Sequence, residues 1–141
     1  MTIVTARTSN QGLRLLHAVT AAFAVLDEDG FQVRDSQLGH DRGATVVVAS
    51  DTVSIEVTGD WYERQLSISL KVTGSPWLPI ERLLPDLPIA SRPLPRNAKR
   101  GALEDRLNKT VTALREQAPE VLRGGPEAVA RVLQTGTTPT E

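Results

Sequence analysis

Residues 44–73 read ATVVVASDTVSIEVTGDWYERQLSISLKVT, and their alternation decides the fold. Val53, Ile55 and Val57 fall on one side of an extended chain, with Ser54, Glu56 and Thr58 on the other. Leu66, Ile68, Leu70 and Val72 repeat the pattern against Ser67, Ser69, Lys71 and Thr73. A strand needs this period of two when one face lies on a core and the other meets water. The short links at Asp51-Thr52 and from Gly59 to Arg64 make the segments antiparallel neighbours, so the stretch is a β-meander with strands at 44–50, 52–58 and 65–73. Neither it nor its flanks carries a catalytic motif.

Toward the N-terminus, Phe31, Val33 and Asp35 alternate with Gln32 and Arg34, giving a first strand that ends near Leu38 and brings the meander to four strands. Gly39 to Gly43, GHDRG, then forms a turn, because Asp and Gly tolerate unusual backbone angles. Before this strand, Leu13, Leu16, Val19 or Thr20, Phe23 and Leu26 recur at helical spacing behind an N-cap at Ser9 or Asn10. The spacing predicts an amphipathic helix over residues 10–27 with its apolar stripe on the sheet. Gly30 suits a left-handed cap that ends the helix, while Asp27, Glu28 and Asp29 sit badly with the helix dipole there. His17 lies beside the stripe and reads as a partly buried packing residue. Ile3 and Val4 offer a short edge strand or a frayed end.

Toward the C-terminus, six of the nine prolines fall between Pro76 and Pro95, which excludes a long helix or a central strand. Trp77, Leu78, Ile80, Leu83, Leu84, Leu87 and Ile89 make the same segment too apolar for a disordered linker. It is expected to cross the core in order, with Pro79 opening a short helical turn through Leu84. A second long helix follows over residues 99–117, carrying Leu103, Leu107, Val111 and Leu114 inward, with a restarted turn beyond Pro119. Gly124 and Gly125 break it, Pro126 starts a third helix through Leu133, and residues 135–141 form a flexible tail. The order predicts one α+β domain over residues 1–134: an N-terminal helix, a four-stranded antiparallel meander, a proline-rich crossing segment, and C-terminal helices on one face of the sheet.

Composition bounds the chemistry. With no cysteine among 141 residues, disulfides, thiolate-bound zinc and thiol catalysis are excluded. No apolar run reaches the roughly 18–20 residues that span a bilayer, and the first residues lack a signal-peptide layout, so a cytoplasmic protein without a membrane partner is expected. The net charge of −1 divides unevenly: residues 1–88 hold seven Lys/Arg against eleven Asp/Glu, and residues 89–141 hold nine against six. An acidic sheet region and a basic helical region attract each other within the chain, or the acidic half docks a basic partner. A sequence pI near 6.1 without an aromatic-interleaved basic patch points away from nucleic acid.

Trp61 and Tyr62, two of five aromatic residues, fall on the hairpin tip between the last two strands, flanked by Asp60 and Glu63. Aromatics on a loop bury large area at little entropic cost, so Asp60, Trp61, Tyr62 and Glu63 form the candidate partner-binding set; folding back over the sheet edge is the alternative. His40 and Asp41 are the one adjacent acid-base pair, but without a nearby nucleophile they fit a solvated turn. Asp51, Glu56, Asp60 and Glu63 are too evenly scattered for a calcium loop, and neither a metal nor a cofactor is expected.

The run from Phe23 to Leu26, the DEDGF element at Asp27 to Phe31, and the strands TVVVAS, TVSIEV and QLSISL together resemble a pattern of small bacterial α+β proteins. Among these are immunity proteins of polymorphic toxin systems. The resemblance covers residues 13–73 and implies a non-catalytic protein-binding role, with no functional residue carried over. The expectation is an immunity or inhibitor protein whose acidic meander docks another protein. A structural subunit that assembles through the Ser/Thr face (Ser54, Thr58, Ser67, Ser69 and Thr73), in a homo- or hetero-oligomer, is the alternative.

Overall fold

The protein's structure, a computed structural model, describes residues 10–40, 43–60, 65–84 and 102–124 together with Glu127 and Ala130. Helix α1 (Asn10–Phe23) runs into a 3-10 turn (Ala24–Asp29), followed by β1 (Gln32–His40), β2 (Gly43–Ala49), β3 (Val53–Asp60), β4 (Gln65–Val72) and β5 (Leu78–Pro79). A one-turn helix α2 (Ile80–Leu83), the long α3 (Ala102–Gln117) and a short α4 (Pro119–Leu122) complete it. The strands pair antiparallel in chain order, each with its sequence neighbour. This is the α+β meander that the alternation predicts. The expected edge strand at Ile3 and Val4, the third helix from Pro126 and the tail fall outside the described residues, apart from Glu127 and Ala130.

The core face of the sheet is built from Ala44, Val46 and Val48 of β2, Val53, Ile55 and Val57 of β3, and Leu66, Ile68, Leu70 and Val72 of β4, all buried. Each of these larger aliphatic side chains gains about 1.5–3 kcal/mol by leaving water. They join one cluster with Leu15, Val19, Phe23 and Leu26 on the α1 side and Leu103, Leu107, Val111 and Leu114 from α3. Thr110 is the polar exception; its hydroxyl donates to the Arg106 carbonyl at 2.9 Å and so meets the core satisfied. The fifth strand comes from the start of the proline-rich segment, where Leu78 pairs with Leu70 and Pro79 with Ser69. An edge position tolerates a proline because the missing N–H is not needed by a further strand.

Helix α1 ends earlier than its periodicity predicts, at Phe23 rather than Asp27, and the last six residues tighten to 3-10 geometry. Three successive carboxylates at the negative end of the dipole oppose a continued α-helix. Gly30, at φ 88°, closes the turn: its N–H bonds the Asp27 carbonyl at 3.0 Å and the Phe31 N–H reaches the Leu26 carbonyl at 3.2 Å. These are the bonds of a Schellman end, with Phe31 and Leu26 both in the core beside it.

The apolar stripe of α1 keeps Val19, Phe23 and Leu26 in the core and Leu16 packed against it, as expected, but it leaves out Leu13 and widens through Leu15, Ala18 and Ala22. Gly12, Leu15, Ala18, Val19, Ala22 and Phe23 face inward, while Leu13 is 38% exposed and His17 is exposed, not partly buried. Small residues set this orientation. A side chain at Gly12 would overlap the Leu38 carbonyl oxygen, so the helix backbone lies directly on β1. A helix-interior glycine costs about 1 kcal/mol relative to alanine, and here the close approach is what it permits.

Three substitutions test this packing. Ile55→Asp places an unpaired carboxylate at a fully buried position, a penalty of several kcal/mol against a total stability of about 5–15, and is expected to unfold the domain. Ser67→Asp on the exposed side is expected to shift stability by no more than about 0.5 kcal/mol. Gly12→Ala, which helix propensity alone would favour, is expected to destabilise by about 1–3 kcal/mol because the helix must lift from β1. Urea melts of the three variants check all of these; equal midpoints for Ile55→Asp and Ser67→Asp would overturn the assignment of faces.

Candidate functional site

The hairpin end that carries the candidate binding residues is positioned by register. His40 lies opposite Gly43, Gly43 opposite Asp60, and Asp60 opposite Gln65, so one row crosses β1 to β4 at this end of the sheet. Asp60 is therefore the half-buried last residue of β3 and not a loop residue as its glycine neighbour suggested. Gly43 is required there because a side chain would meet the Gly59 carbonyl. Trp61, Tyr62 and Glu63, and Asp41 of the other hairpin, lie outside the described residues; the chain enters their segment from Asp60 and leaves it at Gln65. The two hairpins, treated separately in sequence, thus stand side by side.

The sheet side away from the helices carries rows of small polar residues. Gln37, Thr45, Thr58 and Ser67 stand opposite one another across four strands, and the Thr45 and Thr58 hydroxyls are 3.1 Å apart. The next row is Asp35, Val47, Glu56, Ser69 and Pro79. Ser54 and Lys71 follow, and the Lys71 ammonium sits 5.9 Å from the centre of the Trp77 ring, which is 45% exposed. Thr73 does not belong to this face: it lies past β4, and both its N–H and its hydroxyl donate to the Thr52 carbonyl, at 2.9 and 3.2 Å.

At the opposite end, the β2–β3 turn is held by Ser50, whose N–H donates to the Val53 carbonyl at 2.8 Å and whose hydroxyl oxygen accepts from the Val53 N–H at 3.1 Å. Arg34 reaches across to Asp51 at 3.9 Å. Sequence reasoning missed a cleft here, of about 330 Å³, between the end of α1, the 3-10 turn and the first residues of β1. It opens because β1 is bulged: the pairing steps from Val33 opposite Val48 to Asp35 opposite Val47. Asp35 therefore does not share a face with Val33, contrary to simple alternation, and Val33 stays 37% exposed although it faces the helix side. The sequence offered little signal beyond Val25 and Val33 on either side of an acidic triplet.

Among the described residues no group of three metal-ligating side chains converges, and no helix is long and apolar enough to cross a membrane. Two carboxylate oxygens, on Glu81 and Glu104, are buried without a hydrogen bond; Arg14 stands 4.0 Å from Glu104 at the seam of α1 and α3. Comparison of the chain with known protein families, with curated proteins and with solved structures gives no match.

Proposed function

We propose that the protein is a non-catalytic, cytoplasmic protein-binding module, of inhibitor or immunity type, that docks a partner protein through the hairpin end of its acidic meander. The observation that supports it is the row His40, Gly43, Asp60, Gln65, which brings together the strand ends of two hairpins, one of them leading into the segment that holds Trp61, Tyr62 and Glu63. The paired strand ends fix the points at which the chain leaves the sheet and returns to it. The aromatic pair supplies anchor area and the carboxylates supply steering toward a basic surface.

A second reading, an accessory subunit of a larger assembly, rests on the Thr45, Thr58 and Ser67 row of the outward face. A flat side of short hydroxyl side chains can meet a second sheet with little side-chain entropy to lose.

The two readings separate in a titration against the protein that co-purifies with the chain from its source organism. Trp61→Ala is expected to weaken that binding by about 2 kcal/mol or more. Asp60→Lys together with Glu63→Lys is expected to slow association and flatten its salt dependence. Assembly through the outward face predicts instead that these variants bind as before while Thr58→Lys abolishes oligomers in light scattering. An unaltered titration for the tip variants would sink the docking reading.

A further inference from the structure

The two helices that cover the sheet have unlike outer sides. On α3 the exposed residues include Asp105, Lys109, Arg115 and Glu116, the charged side that a helix ordinarily turns to water. On α1 they are Leu13, Arg14, His17, Thr20 and Ala21, continued by Ala24 and Val25 on the 3-10 turn. Leu13 is 38% and Val25 47% exposed, so two of the four large exposed apolar residues among the described ones mark the two ends of this one stripe. No carboxylate occurs from Asn10 to Leu26, and Asp27, Glu28 and Asp29 follow at once. Charge on the exposed side is therefore segregated, with Arg14 near the start and three exposed carboxylates at the end. Each end carries the sign that the helix dipole disfavours there.

An antiparallel neighbour of the same sequence offsets both mismatches. With the midpoint between Thr20 and Ala21, Arg14 of one copy comes opposite Asp27 and Glu28 of the other, each roughly 10 Å along the axis at about 1.5 Å per residue. Leu13 then reaches Ala24 and Val25 of the other copy, and Ala21 meets Thr20, side chains small enough for two helix axes to approach to about 8–10 Å. Thr20 brings no unmet donor to such a contact, because its hydroxyl already donates to the Leu16 carbonyl at 2.7 Å. Arg14 stands 4.0 Å from Glu104 with 41% of its side chain exposed, and a guanidinium has more N–H donors than one carboxylate uses. We infer that the exposed side of α1 is a self-association surface, on which a second copy of this chain docks its own α1 antiparallel about a two-fold axis. A different partner would have to present an acidic end and a basic end in the matching order, which this chain supplies itself. A single helix side falls at the small end of specific interfaces, below about 1,200 Å² in all, so the dimer is weak, with Kd on the order of 10–100 μM. The surface uses neither the Asp60 hairpin nor the outward Ser/Thr face, and its test needs no other protein, so its failure and that of the docking reading are distinguishable.

The test is sedimentation equilibrium of the full chain alone, from about 1 μM to about 1 mM. The unaltered chain is expected to pass from monomer to dimer within that range. Ala21→Glu, at an exposed helix position, is expected to raise Kd about tenfold or more while the diluted chain stays folded by circular dichroism. Arg14→Glu, and the double variant Asp27→Lys with Glu28→Lys, each set like charges against one another across the pair and are expected to be monomeric when alone. Mixed in equal amounts, these two variants are expected to dimerise again, because opposite signs then meet at both ends; mixing would not repair damage to either fold. A chain that stays monomeric throughout, a mixture no more associated than its components, or a dimer that Thr58→Lys dissociates and Ala21→Glu does not would each overturn the inference.

Discussion

Every other feature of the molecule answers to one constraint, the continuous apolar face of β2, β3 and β4. Strands with a period of two present all their aliphatic side chains to one side, and that side must be covered. Helices α1 and α3 cover it together, and the leucines of both reach the same cluster as Ile55, Ile68 and Leu70. The cover fits only because small residues line the contact surfaces. Gly12 lets α1 lie on β1, Ala18 and Ala22 keep the helix close along its length, and Gly124 allows the chain after α4 to meet Thr52 of the β2–β3 turn.

Covering one face leaves two edges and an outer side, and the chain treats them differently. Strand β1 is bulged twice and carries Arg34 and Asp35, and β5 is two residues long with a proline. Both devices discourage a further strand from adding. The outer side is polar but not charged throughout, with hydroxyls in register and a single lysine under Trp77. The bulge at Val33 protects the edge and at the same time opens the cleft, since it turns the strand before α1 has covered the start of β1.

The strand pattern was legible because burial acts on each strand residue separately: Val53–Asp60 and Gln65–Val72 alternate in sequence and in exposure alike. Gly30 was legible for the same local reason, a backbone angle few other residues adopt. What escaped were features set by contacts between distant elements. The stripe of α1 was read from Leu13, Leu16, Val19, Phe23 and Leu26, whereas packing against β1 and α3 left Leu13 exposed and brought in Gly12, Ala18 and Ala22. Size marks what gains most from burial; small residues mark where backbones meet, and one sequence shows only the first. The bulge in β1 was equally hidden, because an inserted residue reads as one more step of an alternation. Of the candidate site, Asp60 was found but placed on a loop, and its neighbours in space, His40 and Gly43, belonged to a hairpin seventeen or more residues away.

The two surfaces singled out by geometry lie at opposite ends of strands seven to nine residues long, roughly 20–30 Å apart at about 3.3 Å per residue. Between them runs a close-packed sheet whose ladder from β2 to β4 is unbroken. Energetic coupling over such a distance requires an element with two discrete arrangements, and a regular, unbroken ladder supplies none. Strand β1 differs, because it touches both ends, is irregular at two places and is exposed from Gln32 to Gln37. A shift of β1 against β2 is the one motion that would reach both the cleft and the row at His40. Gly12 opposes that motion: with α1 seated on the Leu38 carbonyl, the far end of β1 is held by the same helix whose near end walls the cleft. The arrangement therefore favours two independent surfaces on one rigid body over a switch between them.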